Sequence, residues 1–133
     1  MKRIALIAAG AALALAGTAA SAESTTARKG EERLARMLEG RVAGEPVACI
    51  TTMRSSKLQV IDEVGLVYDA GKTIYVARAT DPRMLRSFDV LVMNRFDASR
   101  LCAHEPMRTV DRASGFTTGV VFLHEFVPYT RKG

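Results

Sequence analysis

The sequence predicts a β-rich α+β fold: a small antiparallel sheet, barrel-like or sandwich-like, preceded by one N-terminal amphipathic helix. Apolar residues follow a helical spacing once, shortly before Gly40. From residue 47 onwards the chain changes to short runs of β-branched and aromatic residues that turn residues separate. No long helical pattern alternates with those runs, as βαβ units would require, so we expect antiparallel pairing.

The predicted helix covers residues 29–39, because Leu34 and Leu38 recur at helical spacing. Gly40 follows as a C-terminal stop. The residues that precede the helix are expected to form a frayed tail. Residues 40–46 contain two glycines and a proline, which is typical of a loop that leads into the first strand.

Seven strands are expected after the helix. Residues 69–72 are predicted to form a hairpin turn, since Asp and Gly tolerate the backbone angles of a tight reversal. Residues 97–101 suggest one helical turn, and residues 113–115 a loop between the last two strands. Pro128 is expected to end ladder pairing, because proline donates no backbone hydrogen bond. The predicted strands are residues 47–52, 58–61, 65–68, 73–78, 90–95, 107–111 and 118–124.

Residues 1–22 have the pattern of a secretory signal peptide. A basic start is followed by an apolar run over residues 4–16, which is too short for a bilayer-spanning helix of roughly 20 residues. Small residues precede a predicted cleavage between Ala22 and Glu23. The mature chain, residues 23–133, is then expected to be a single soluble domain in the periplasm, with release outside the cell as the alternative.

Charge and hydropathy argue against nucleic-acid binding and against a membrane span. Loss of the signal lowers the formal charge from +5 to +3, since two cations leave with it. The remaining cations are interleaved with Asp and Glu, whereas a phosphate-binding surface clusters them. No second apolar stretch approaches membrane length. We expect an unidentified protein or small ligand of the cell envelope as the partner.

Two cysteines, Cys49 and Cys102, predict one disulfide, because an even number of cysteines in an oxidising compartment favours pairing over metal binding. The two positions are 53 residues apart. For a loop of this length, the chain-entropy estimate of the stabilisation is about 4 kcal/mol. Neither cysteine lies in a C-x-x-C pair, so a thioredoxin-like redox function has no support.

Two segments, residues 40–50 (GRVAGEPVACI) and 126–130 (FVPYT), resemble small exported proteins of alphaproteobacteria, the sphingomonad type especially. Residues 61–62, 73–76 and 101–102 fall between them, so the resemblance covers most of the mature chain. It agrees with pairing of the two cysteines, and it implies no fold, activity or ligand.

The two histidines of the chain, His104 and His124, are each followed by a glutamate. If the last predicted hairpin is centred between residues 114 and 115, antiparallel pairing places His104 opposite Glu125 and Glu105 opposite His124. Two imidazoles and a carboxylate are a ligand set for Zn²⁺ or another divalent cation. A slip of one residue reverses the faces, so ordinary surface histidines are the alternative.

The sequence lacks G-x-S-x-G, H-E-x-x-H, a glycine-rich phosphate loop and G-x-G-x-x-G. No cofactor is therefore expected. The apolar C-terminal stretch offers Phe126 and Tyr129 as partner-binding side chains, with burial in the core as the alternative. Phe122 is expected to pack inward.

These observations favour a small soluble periplasmic binding or accessory protein without catalytic activity. The alternative from another class is a metal-binding protein or a metal-dependent enzyme that uses His104, His124 and Glu125.

Overall fold

The computed structural model describes residues 23–53 and 57–132, so the predicted signal peptide lies outside the described residues. One α-helix, α1 (Thr25–Met37), and ten short strands are found in the described ranges. A 3₁₀ turn (Pro82–Met84) follows the fifth strand. The strands are β1 (Arg41–Ala43), β2 (Cys49–Thr51), β3 (Leu58–Ile61), β4 (Gly65–Asp69), β5 (Thr73–Arg78), β6 (Val90–Val92), β7 (Arg100–Cys102), β8 (Met107–Val110), β9 (Thr117–Val121) and β10 (Val127–Arg131).

The strands pair antiparallel and form three sheets. The largest has five strands in the order β1-β10-β5-β4-β3, and the two smaller sheets are β2-β7 and β6-β8-β9. All three sheets are open, and none closes into a barrel within the described ranges. The predicted β-rich α+β class with an N-terminal helix is confirmed.

The five-stranded sheet is buried on both of its faces. β4 is buried at its first four positions, and its successive side chains enter different clusters. Leu66 and Tyr68 join a cluster with residues of the two smaller sheets, whereas Val67 packs in a second cluster with Leu34 of α1. Burial on both faces explains why β4 is a continuous apolar run and not an alternating one. The described residues therefore form three layers: α1, the five-stranded sheet and the pair of smaller sheets.

α1 begins four residues before its predicted start. The Ser24 hydroxyl oxygen accepts a hydrogen bond from the Ala27 N–H at 2.9 Å, and the hydroxyl donates to Glu63. The predicted frayed tail is therefore wrong, because a capping serine supplies an acceptor for the first turn. α1 ends at Met37, two residues before the predicted end, and Gly40, with a φ of 72°, lies in the turn that follows the helix. No helix in the described ranges is long and apolar enough to cross a membrane.

The loop predicted over residues 40–46 is wrong at residues 41–43, which form β1, and the end of pairing predicted at Pro128 is wrong as well. β10 lies between β1 and β5, so Pro128 belongs to an inner strand. Its carbonyl accepts a hydrogen bond from the Gly44 N–H at 2.7 Å. The nitrogen and oxygen of one residue point to the same side of an antiparallel strand, so the missing donor of Pro128 also faces Gly44, just beyond the end of β1. The proline therefore removes no hydrogen bond from the pairing with β5.

The helical turn predicted over residues 97–101 is wrong as well. The Asp97 carboxylate accepts hydrogen bonds from the hydroxyl and the backbone N–H of Ser99, at 2.6 and 2.8 Å, and these lower the pKa of Asp97 below its usual range. The resulting Asx turn reverses the chain at once. Residues from Arg100 onwards are then free to pair with β2 as the strand β7.

The β4–β5 hairpin forms as predicted. Gly71 has a φ of 90°, and its N–H donates to the Asp69 carboxylate at 2.8 Å. β3 and β5 have the predicted bounds. The other five predicted strands overlap β2, β4, β6, β8 and β9.

The predicted disulfide is confirmed: Cys49 and Cys102 are directly opposite each other in β2 and β7, with their Cα atoms 4.0 Å apart. The Ala103 N–H donates to the Ala48 carbonyl at 2.8 Å. Because hydrogen-bonded and non-hydrogen-bonded pairs alternate along an antiparallel ladder, the cysteines occupy a non-hydrogen-bonded pair. Such positions bring the Cα atoms closest, which is where a cross-strand disulfide fits.

Replacement of Gly30 by alanine tests the packing of α1 on the sheet. A Cβ here would lie 2.7 Å from Val64 Cγ2 and 2.8 Å from the Asp62 carbonyl oxygen. In an ordinary helix, alanine is more stable than glycine by roughly 0.5–1 kcal/mol. We expect Gly30→Ala to lower the free energy of unfolding by about 1–3 kcal/mol instead, because the helix must shift away from the sheet.

Urea denaturation of the mature protein measures this change. Ala35→Gly, at an exposed position of the same helix, is the control and is expected to lose only about 0.5–1 kcal/mol. A gain in stability for Gly30→Ala would contradict the close contact between α1 and the sheet.

Removal of the disulfide tests its share of the stability. The bridge joins residues 53 positions apart. We expect the Cys49→Ala/Cys102→Ala double variant to lose about 4 kcal/mol of unfolding free energy, because its unfolded chain is no longer crosslinked. Labelling of the denatured, unreduced wild-type protein should find no reactive thiol, and two thiols per chain would refute the bridge.

Candidate functional site

The three predicted metal ligands do not form one group, although His124 and Glu125 lie beside the same cavity. β8 and β9 pair Met107 with Val121, a register one residue away from the one that the metal hypothesis assumed. β8 begins and β9 ends at this pair, so His104 and His124 both lie outside the hairpin. His124 instead donates its backbone N–H to the carbonyl of Arg78 in β5. Among the described residues, no three His, Cys, Asp or Glu side chains are grouped so as to hold a metal ion.

His124 and Glu125 line a cavity of about 150 Å³ together with Arg78 and Tyr129. Arg78 makes two hydrogen bonds to the carboxylate of Glu31, and these raise its pKa above the usual value. Pockets for drug-sized ligands are about 300–1,000 Å³. This cavity is smaller than that, and its guanidinium already has a carboxylate partner.

Phe126, expected either to bind a partner or to be buried in the core, is a core residue. Its side chain is 0% exposed and lies in the larger core cluster. Tyr129 is half-buried and packs against the smaller cluster beneath α1. Phe122, predicted to pack inward, is 49% exposed. The chain leaves β9 after Val121, and Phe126 then turns into the core through an isolated bridge to Val47.

An exposed apolar surface lies instead on the outside of the β6-β8-β9 sheet. Alternate residues of the three strands point away from the core, and we call this surface the outer face. One cross-strand row joins Val92, Arg108 and Val120. Phe122 continues the alternation of buried and exposed residues beyond β9. The outer face consists of Val90, Val92, Arg108, Val110, Val120 and Phe122.

The opposite face of the same sheet supports the fold. Leu91, Met107 and Val121 pack into or against the larger core cluster. The fully buried Thr109 has its hydroxyl 2.8 Å from that of Thr118. Folding therefore uses the inner face of this sheet and leaves the outer face in solvent.

The chain segment that forms the outer face contains more cations than anions. Residues 83–122 contain six arginines and four carboxylates. Three of the carboxylates, Asp89, Asp97 and Asp111, accept hydrogen bonds from Ser or Thr hydroxyls of this same segment. Arg108 is the one charged residue of the outer face, and no described carboxylate forms an ion pair with it. The outer face is therefore apolar with a positive charge at its centre.

β8 and β9 form a hairpin, and the carboxylate of Asp111 stabilises its turn. This carboxylate accepts hydrogen bonds from the N–H and hydroxyl of Ser114, at 2.7 and 2.8 Å, and from the Ala113 N–H at 3.1 Å. These bonds favour the ionised form and lower the pKa of Asp111 below its usual range. Gly115 completes the turn with a φ of 75°.

Comparison of the chain with models of known protein families, with curated protein sequences and with solved structures gives no match.

The outer face cannot be recognised from the sequence pattern, because β6 is apolar on both sides. Val90, Leu91 and Val92 form an unbroken run, which favours a fully buried strand. The one indication in the sequence is the shortness of the apolar run, because a run of three or four apolar residues next to turn residues fits an edge strand as well as an inner one.

Replacement of Asp111 by asparagine tests the hairpin. We expect Asp111→Asn to lower the melting temperature at neutral pH, because an amide is a weaker acceptor than a carboxylate for these three donors. The folded-state pKa of Asp111 lies below its unfolded value, so its stabilising effect is present above about pH 4 and disappears as the pH falls through the folded pKa. The difference in melting temperature between wild type and variant should become smaller as the pH falls through that range. A difference in melting temperature that does not depend on pH would contradict an ionised Asp111 in the turn.

Proposed function

We propose that this protein is a small periplasmic accessory protein that binds another protein of the cell envelope through the outer face, and that it has no catalytic activity. The observation that carries the proposal is an apolar sheet face that the core does not use. Single exposed apolar residues are normal on protein surfaces, but a contiguous apolar patch is typical of an interaction site.

The position of Arg108 supports a protein partner. It lies in the middle strand, with Val92 on one side and Val120 on the other. Arginine is over-represented among the side chains that dominate protein interfaces, since its planar group makes paired hydrogen bonds and also packs on apolar surface. An acidic group of the partner would bind here while apolar groups cover the valines.

Export is supported by the chemistry of the cysteines. The disulfide between Cys49 and Cys102 is typical of a compartment outside the reducing cytoplasm. The signal pattern of residues 1–22 and the resemblance to small exported alphaproteobacterial proteins agree with the periplasm as that compartment. Release outside the cell is the alternative location.

Site-specific photocrosslinking in the periplasm tests the partner. Benzoylphenylalanine at position 120 lies on the outer face, where Val120 is 45% exposed. We expect an ultraviolet-dependent adduct of one defined mass. Arg108→Glu in the same chain should reduce its yield about tenfold, the effect of roughly 1.4 kcal/mol of lost binding free energy.

The matched control places the same photoreactive residue at position 42, because Val42 in β1 is also a valine with 45% exposure. Adducts of the same mass from both positions would indicate non-specific contact. No adduct at position 120 in cells that export the protein would refute the proposal.

A further inference from the structure

We propose that the free edge of β6 captures an extended, acidic segment of the partner, which adds a fourth strand to the β6-β8-β9 sheet. This inference rests on the proposed function and specifies how the partner binds. The outer face by itself supplies too little binding free energy. Full burial of a Val or Phe side chain contributes about 1.5–3 kcal/mol, so three half-exposed side chains supply roughly 2–4 kcal/mol. A micromolar complex requires about 8 kcal/mol.

The backbone of β6 offers the additional contacts. β6 pairs with β8 on one side, and no described residue forms a hydrogen bond to its backbone on the other side. The segment from Val90 to Met93 contains no charged residue and no proline. Proteins normally protect edge strands with such residues, because an uncovered apolar edge is a template for another strand. Exposed phenylalanines flank this edge at Phe88 and Phe96.

The other sheet edges differ from that of β6, because a charged residue or a hydrogen-bonded neighbour lies beside each of them. In β7, the carbonyl of Arg100 accepts a hydrogen bond from the Arg95 guanidinium at 2.9 Å. Just beyond β9, the carbonyl of Phe122 accepts hydrogen bonds from the backbone N–H and the hydroxyl of Thr80, at 2.9 and 3.1 Å. β1 includes a charged residue, Arg41, whose guanidinium reaches across β10 to the carbonyls of Gly71, Lys72 and Tyr129. β3 packs beside α1, where Arg33 donates to Gln59 at 3.0 Å.

Charge complementarity makes an acidic segment the better occupant than a second copy of this chain. The cations beside β6 are Arg86, Arg108 and Arg112, and no described carboxylate forms an ion pair with them. They outnumber the two carboxylates nearby, Asp89 and Asp111, which accept hydrogen bonds from Thr118 and Ser114. Pairing of β6 with β6 of another copy would place both sets of arginines on one continuous sheet. An incoming strand with Asp or Glu would offset these charges, while its apolar residues cover Val90 and Val92.

Selection from a random peptide-display library on the immobilised, oxidised mature protein tests the inference. We expect enrichment of peptides in which Asp or Glu accompanies β-branched residues. The best peptide is then synthesised and its affinity measured against wild type, Val90→Glu and Val42→Glu. Val90 and Val42 are both valines on edge strands, 40% and 45% exposed. We expect at least about tenfold weaker binding to Val90→Glu, or 1.4 kcal/mol, and unchanged binding to Val42→Glu.

A second peptide with N-methyl groups on alternate residues separates strand addition from simple contact, because it has the same side chains and lacks the edge hydrogen bonds. We expect it to bind at least about tenfold more weakly. The unmodified peptide should slow hydrogen exchange of β6 amides. Both variants must keep the wild-type melting temperature, which distinguishes loss of the edge from loss of the fold.

Several outcomes would overturn strand capture: equal binding of the N-methylated peptide, enrichment of Lys-rich or Arg-rich peptides, or no peptide that prefers wild type to Val90→Glu. If one of these outcomes is found together with a specific crosslink at position 120, strand capture is rejected and the outer face remains the binding surface. If the crosslink at position 120 is also absent, the proposed function fails with the inference.

Discussion

The five-stranded sheet has to be covered on both faces, and the rest of the structure depends on that requirement. β4 places Leu66 and Tyr68 on one side and Val67 on the other, so neither side can face water without loss of burial. α1 covers one side and approaches closely because Gly30 has no Cβ. The two smaller sheets cover the other side. A third layer that is one sheet thick must leave its own outer surface in solvent, so the exposure of the outer face follows from the layered architecture. The layered architecture does not explain why the outer face is apolar.

The disulfide determines how that third layer is held. An isolated two-stranded sheet is marginally stable in water, yet β2 and β7 contribute Ile50 and Leu101 to the larger cluster. The covalent bond between Cys49 and Cys102 fixes the register of this pair, so both apolar side chains stay on the inner side. Cys102 also lies between β6 and β8 in the chain, and it therefore anchors the segment from which the outer face is built.

The parts of the fold that were predictable are those that local sequence determines. β3, β5 and the turn at Gly71 were predicted because β-branched runs and an Asp-Gly turn act within a few residues. The strand at Pro128 could not be predicted, because the missing donor of Pro128 points past the end of β1 only in the register that β10 adopts with β1 and β5. The candidate binding residues could not be predicted for the same reason. The exposure of Phe122 and the burial of Phe126 depend on where the chain leaves β9, which no local pattern contains.

Selection for folding does not explain an apolar edge at β6. Leu91 and the inner residues of β8 and β9 supply the contacts with the core, so a charged residue at position 90 or 92 would leave those contacts in place. Such a residue would also protect the edge against pairing with other chains, which is the usual arrangement in soluble proteins. The valines therefore carry a risk of aggregation without a matching contribution to the core. This combination is expected where the edge is covered in the working state, and the surrounding arginines favour an acidic chain as the cover.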